Sequence, residues 1–479
     1  MFTTFVWIVL FQNCSKNIEK NIDSSSIDQS KKMDLVRIET ISFLKGSNVE
    51  ILNFERINHV SSEVSSIEMP SVLLGTFNGI FYSFVSSFES HLCSSLEKNI
   101  FLLKQSTNVC RLISTPVVDS SRRTYAFTEN QIIHEAPWKR NYSGLFSAHI
   151  VETVDQGSAL IGITHYENKG ESVPYVGQGM APFQNTIGPQ IKNSVGNITE
   201  NRCLEANGCY FASVGVQWRP TKDLFRDLES SAENDLWDYG PITWPSAGYT
   251  SDDGLTKISD GPRHPYSIIK DGFIYVFYID YVYTNGNDQN FAKYNMIDRQ
   301  AGLKVIRAPV QHFSPPNWRA YLKGSFSEPT LPVDFDPQQM PKFSSQLGPK
   351  ATVIFGEAST LRISFAVAKL KGTRSYIGAE TYIDYNQGQC TAPGMYKVAL
   401  RTSEDLVHWS DRTDVYGCLP RQDFGLFYAK FLDSTGTTNY EVDPNEFYLI
   451  GTSGILIDKD AFQSKNYSTQ LNTLKLKIN

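Results

Sequence analysis

The sequence predicts an all-β chain folded as a five-bladed β-propeller, and three observations carry that prediction. Short apolar, β-branched and aromatic runs recur along the 479 residues, each bounded by Gly, Asn or Asp turn chemistry. They group into roughly five units of about four strands, the pattern of a radial repeat rather than a sandwich. Helical periodicity of any length is hard to find, which argues against alternating βαβ architecture.

The chain opens on an apolar run, Phe2–Phe11, too short to span a bilayer and similar to the core of a secretory leader. A polar spacer rich in Ser, Asn, Lys and Asp follows to residue 32 and reads as disordered. Residues 33–479 are expected to form one propeller domain, although 33–66 show β-like character without a clean period. The first blade, roughly 67–135, begins at Ser71–Val85, where Asn78-Gly79 is a strong hairpin signal. Phe101–Lys104 and Val109–Ile113 continue it. The second, 142–245, pairs Leu145–Val151 with Ser158–Thr164 around Asp155-Gln156-Gly157, then adds Phe211–Arg219 and Pro241–Trp244. It carries an insertion from Gly170 to Asn207, and such insertions commonly lie on a binding face.

The third blade, 261–326, runs through Tyr266–Lys270, the turn Asp271-Gly272, Phe273–Tyr281, Leu303–Arg307 and Trp318–Leu322. The fourth, 348–417, is expected to use Ala351–Phe355, Leu361–Ala368, Ser375–Glu380, Met395–Arg401 and Leu406–Trp409. The last, 423–479, uses Phe424–Leu432, Glu446–Gly451 and Leu474–Ile478. The openings of the second and last blades rhyme: Gly144-Leu145-Phe146-Ser147-Ala148-His149 against Gly425-Leu426-Phe427-Tyr428-Ala429-Lys430.

Composition narrows the function classes. Aromatic residues reach 13% while charged residues are only 20%, which suits strands and also suits the apolar faces of sugars. A net charge of −6 with no long basic run argues against a nucleic-acid partner. Beyond Cys14, Cys93, Cys110, Cys203, Cys209, Cys390 and Cys418 make an even set that fits an oxidising compartment. Neighbours in sequence are the simplest of several possible pairings. Sequons stand at Asn141, Asn197 and Asn466. No CxxC, HxH or HExxH spacing calls for a metal, no GxSxG elbow offers a serine nucleophile, and nothing implies a cofactor.

Candidate chemistry follows from topology. Inner strands of a propeller start near the axis, and the end of each antiparallel second strand returns to the same face. That face gathers the strand starts Tyr142, Arg263, His264 and Asp423 with the second-strand residues His165, Glu167, Asp280 and Glu380. Glu167, ending an apolar strand where burial would raise its pKa, is the first candidate for general acid or base, with Asp280 its partner and Glu380 third. His165, Arg263, His264 and Asp423 are candidate substrate contacts. Paired carboxylates across one opening are what glycoside hydrolysis requires. Each of these acids also has a plain structural reading, as a strand-end carboxylate satisfied by its neighbours.

Certain phrases add a resemblance. Arg401-Thr402-Ser403-Glu404-Asp405-Leu406-Val407-His408-Trp409 is similar to the outer-strand "S-x-D-L-x-x-W" phrase of the five-bladed β-propeller glycosidases, the arabinanase, xylosidase, levansucrase and invertase superfamily. Asp271–Tyr278 and Asn445–Gly451 resemble its second strands. The resemblance implies a secreted hydrolase acting on a polysaccharide or oligosaccharide. The Asp that this superfamily usually carries at the start of its first blade has no match in Ser71–Val85. A carbohydrate-binding propeller without catalysis is therefore the alternative expectation.

Overall fold

The computed structural model describes residues 41–43, 47–57, 69–77, 80–86, 90–95, 109–114, 125–128, 131–134, 142–153, 157–169, 191–192, 198–200, 210–224, 236–243, 249–250, 256–284, 302–331, 351–355, 360–384, 395–420, 426–452 and 471–478. The described chain is almost entirely strand, with one helical turn at Thr221–Leu224 and one 3-10 turn at Pro315–Asn317. Five sheets of four to six strands carry the fold. Sheet I is a meander of Met69–Phe77, Ile80–Ser86, Ser90–Ser95 and Val109–Ser114. Sheet II holds Tyr142–Thr153, Gly157–Lys169, Tyr210–Pro220 and Trp237–Thr243. Sheet III is built on Thr256–Lys270, Phe273–Thr284, Gly302–Pro309 and Arg319–Leu322, extended by Tyr249–Thr250 and Ser325–Pro329. Sheet IV holds Thr360–Leu370, Tyr376–Asp384, Met395–Ser403 and Thr413–Pro420.

Sheet V is assembled from both ends of the chain. Its order runs from Phe427–Asp433 through Phe447–Thr452 and Leu471–Ile478 to Ser47–Ile57 and Ile41–Phe43. The stretch after residue 33, which shows no clean period in the sequence, thus supplies the outer strands of the closing sheet. The first strand of each sheet packs beside its neighbours in the cycle II, III, IV, V, I and back to II. The described strands form a closed ring of sheets, antiparallel except where Glu441–Val442 runs parallel to Thr360–Leu370, a β-propeller.

Burial explains the apolar runs. In sheet III, Ile274, Val276 and Tyr278 join the core shared with sheet II, while Tyr275, Phe277 and Ile279 join the core shared with sheets IV and V. Successive side chains point to opposite faces of a strand, so a sheet buried on both sides needs an unbroken apolar run. Each such side chain contributes about 1.5–3 kcal/mol on full burial. Trp218 and Trp318 lie in the sheet II–III core, and Trp409 packs edge-on against Phe365 at 5.0 Å.

Two expected strands are corrected. Ala351–Phe355 does not open sheet IV; it is irregular and bridges back to sheet III through Leu303 and Phe355. Leu406–Trp409 is a bend, and the fourth strand is Thr413–Pro420. The cause is local. Ser403 Oγ accepts from the backbone N–H of Leu406 at 2.8 Å, and Asp405 Oδ1 accepts from those of Val407 and His408 at 3.0 and 2.8 Å. Those side chains take the donors a ladder would need.

Every inner strand also slips register against its partner. The slip isolates Phe146 in sheet II, His264 and Pro265 in sheet III, Ile363 in sheet IV, and Tyr428 and Ala429 in sheet V. Sheets I and III each slip twice, the second slip in sheet III falling between Ser259 and Pro262. An unpaired residue in a bulge re-aims its side chain. At the sheet V bulge the facing residue is Gly451, where an added Cβ would lie 2.4 Å from the Leu426 backbone. Only glycine fits there.

Candidate axial site

The bulges of three sheets place rings together at the axis. Phe146 stacks on His264 with centroids 5.6 Å apart and meets the edges of His165 at 5.5 Å and Tyr428 at 6.1 Å. His264 in turn lies 5.5 Å from His165 and 5.2 Å from Tyr428. All four are buried. His264 and Tyr428 are non-glycine residues in the left-handed region, at φ 46° and 55°. Such backbone costs of order 1–3 kcal/mol and persists where the surroundings over-determine it. Arg263, also buried, precedes His264 on the same strand.

Directly beneath this cluster lies Lys430. Its Nζ donates to the Phe146 carbonyl at 2.7 Å and sits about 6 Å from the faces of both Phe146 and Tyr266. Burial pushes its pKa down to about 7. A polar layer follows. Ser147 Oγ and Ser267 Oγ are 2.6 Å apart, and His149 Nε2 meets the same Ser267 hydroxyl at 2.8 Å. Burial holds His149 down to about 3, so it is neutral here.

The loop after Phe427–Asp433 closes the axis below that layer. The Tyr440 hydroxyl accepts from the N–H of Ala148 at 3.1 Å and donates to its carbonyl, while the Tyr440 carbonyl accepts from Lys369 N at 2.8 Å. Tyr266 donates to the Asn439 carbonyl at 3.3 Å. Asn439 and Tyr440 of sheet V therefore touch sheets II, III and IV.

The candidate carboxylates take separate places. Asp280 and His165 are equivalent, each the second paired residue beyond its bulge, opposite Pro262 and Gly144. Asp280 is 2% exposed, and Lys304 Nζ donates to its Oδ2 at 2.7 Å. Glu380 lies on the other side of the sheet IV bulge, opposite Phe365. It is fully buried, with Arg362 Nε on Oε1 and Arg401 Nε on Oε2. Both guanidiniums lie over Phe355, at 4.8 and 4.1 Å. Glu167 stands on its strand opposite Tyr142 and Ala212; only that backbone position is described. Asp423, the sequons and the leader lie outside the described residues.

The structure thus brings His165 and His264 together, with Arg263 adjoining, and gives Asp280 and Glu380 cationic partners within their own sheets. Phe146, Tyr428 and Lys430 are absent from the sequence-level site. The rhyme of Gly144–His149 with Gly425–Lys430 held their signal, shifted by one position. Phe146 corresponds to Tyr428 by register, because the sheet V bulge holds two residues where sheet II holds one. Among the described residues, no three His, Cys, Asp or Glu gather as a metal would require, and no helix is long and apolar enough to cross a membrane.

No family model matches the chain, and no curated protein matches it. Solved structures do. The chain is similar to the catalytic domain of the Coprinopsis cinerea GH62 alpha-L-arabinofuranosidase at 8% identity, covering 89% of this chain and 97% of that one, with a TM-score of 0.41. The Bombyx mori GH32 beta-fructofuranosidase follows at 11% identity, 87% and 61% coverage and a TM-score of 0.39. An exo-1,5-alpha-L-arabinanase from a bovine ruminal metagenomic library gives 9%, 85% and 93%, and 0.34.

Proposed function

We propose that this chain is a secreted, glycoside hydrolase-like propeller that takes an oligosaccharide or polysaccharide at the axial cluster. The supporting observation is the ring of Phe146, His165, His264 and Tyr428, drawn from three sheets onto one axis. Flat faces with hydrogen-bonding edges match a sugar, whose ring presents C–H faces and equatorial hydroxyls. In this reading His165, Arg263, His264 and Asp423 contact the sugar. Glu167 and Asp280 act as general acid and base across the glycosidic bond, and Glu380 anchors the sheet beside them.

A second reading, a carbohydrate-binding propeller without catalysis, is favoured by the partners of the acids. Both oxygens of Glu380 are engaged by buried arginines, and Asp280 is held by Lys304. One experiment decides: reducing-sugar release and calorimetric binding on a panel of arabinan, xylan, fructan and cellulose oligosaccharides. Release that disappears in Glu167→Gln supports hydrolysis, and binding without release selects the second reading. If no glycan is bound or cleaved, both readings fail.

A further inference from the structure

The ladder of sheet I sets two cysteines face to face. Cys93 on Ser90–Ser95 is the register partner of Cys110 on Val109–Ser114. The adjoining pairs, Leu92 with Arg111 and Ser94 with Val109, continue without a slip; the one slip in this pairing falls nearer the other end, between Ser90 and His91. Directly opposed residues of an antiparallel pair have Cα atoms about 4.5 or 5.5 Å apart, depending on their place in the hydrogen-bond alternation. A disulfide spans about 4.4–6.8 Å between Cα atoms, and both places fall within that range. Opposed residues also share one face of the sheet.

We propose that Cys93 and Cys110 form an intrachain disulfide that ties together the last two strands of sheet I. The two thiols lose two protons and two electrons as the S–S bond forms. A disulfide oxidant, either a protein disulfide or oxidised glutathione, accepts them and is reduced to two thiols. The position gives the bond a purpose. Sheet I sits between sheet II and the closing sheet V, with its inner strand packed on both. Its last two strands pack less extensively on those sheets than the inner strand does. A cross-link there restrains the unfolded chain between the two cysteines and pins the strands that would open first.

The test uses the folded full-length chain, equilibrated with a reduced and oxidised glutathione couple, then denatured and alkylated with iodoacetamide without reduction. Trypsin cuts at Lys98 and Lys104, so the two cysteines fall on separate peptides unless they are joined. The expected result is one linked species containing both, replaced by two alkylated peptides only after dithiothreitol. Alkylation of both cysteines before reduction overturns the proposal, as does either one joined to a different cysteine. In Cys93→Ser, Cys110 should become alkylated without reduction and the melting temperature should fall by several degrees. A Cys110 that stays protected in that variant also overturns it. None of these outcomes depends on the carbohydrate reading.

Discussion

Replacing Glu380 with Gln asks whether this acid holds the fold or performs chemistry. Gln matches Glu in shape, so a carboxylate facing solvent or substrate would lose its charge at little cost to stability, within about 0.5 kcal/mol. Glu380 is instead enclosed, with one guanidinium on each oxygen and no exposed surface. After the change, one amide N–H₂ confronts an arginine donor, and Arg362 and Arg401, buried at 1% and 3% exposure, lose the Glu380 charge. Removing one member of a buried ion pair typically costs about 3–5 kcal/mol. Large domains shift by about 2 °C per kcal/mol, so the melting temperature should fall by roughly 6–10 °C. Differential scanning calorimetry at neutral pH, checked by urea unfolding followed with circular dichroism, measures this. A Glu380→Gln chain that melts within about 1 °C of the parent would refute the reasoning and return Glu380 to the list of catalytic candidates.

Asp280→Asn should likewise destabilise the fold by about 3–5 kcal/mol, since Lys304 is left buried and charged. Adding Lys304→Met should restore most of that loss; a double variant no more stable than the single one contradicts the ion-pair account. Lys430 predicts a pH dependence. Its pKa is about 7 in the fold and 10.5 when free, so between those values the unfolded chain binds a proton that the native state does not. Stability from this group therefore rises with pH across that window, by up to about 1.4 kcal/mol per unit. Urea unfolding from pH 6 to 10 should show this slope in the parent minus Lys430→Met difference. Parallel curves for the two chains would exclude it.

The ring was legible where burial leaves a mark on residue type. Phe273–Ile279 had to be apolar throughout because cores lie on both its faces, and Trp218 and Trp318 mark the contact between sheets II and III. The turn around Asp405 was misread because Leu406, Val407 and Trp409 are apolar and strand-like, while the hydrogen bonds of Ser403 and Asp405 decide the backbone. The acids were found by strand position alone. Their partners Lys304, Arg362 and Arg401 stand 24, 18 and 21 residues away, and only pairing brings them near. The bulges were hidden for a different reason. His264 and Tyr428 adopt a conformation that sequence assigns to glycine, so nothing in their identity announces it.

The closing sheet has a consequence for how the molecule is made. Val49 to Ile57 lies against Leu471 to Ile478, so this strand can meet that partner only after roughly 400 further residues have been synthesised. At about 5–20 residues per second that edge of Ser47–Ile57 waits tens of seconds for its partner, with only the short Ile41–Phe43 strand on its other side. Trimming the gene past Ile57 would remove that neighbour and leave Leu471–Ile478 as a bare edge, open to pairing with another molecule.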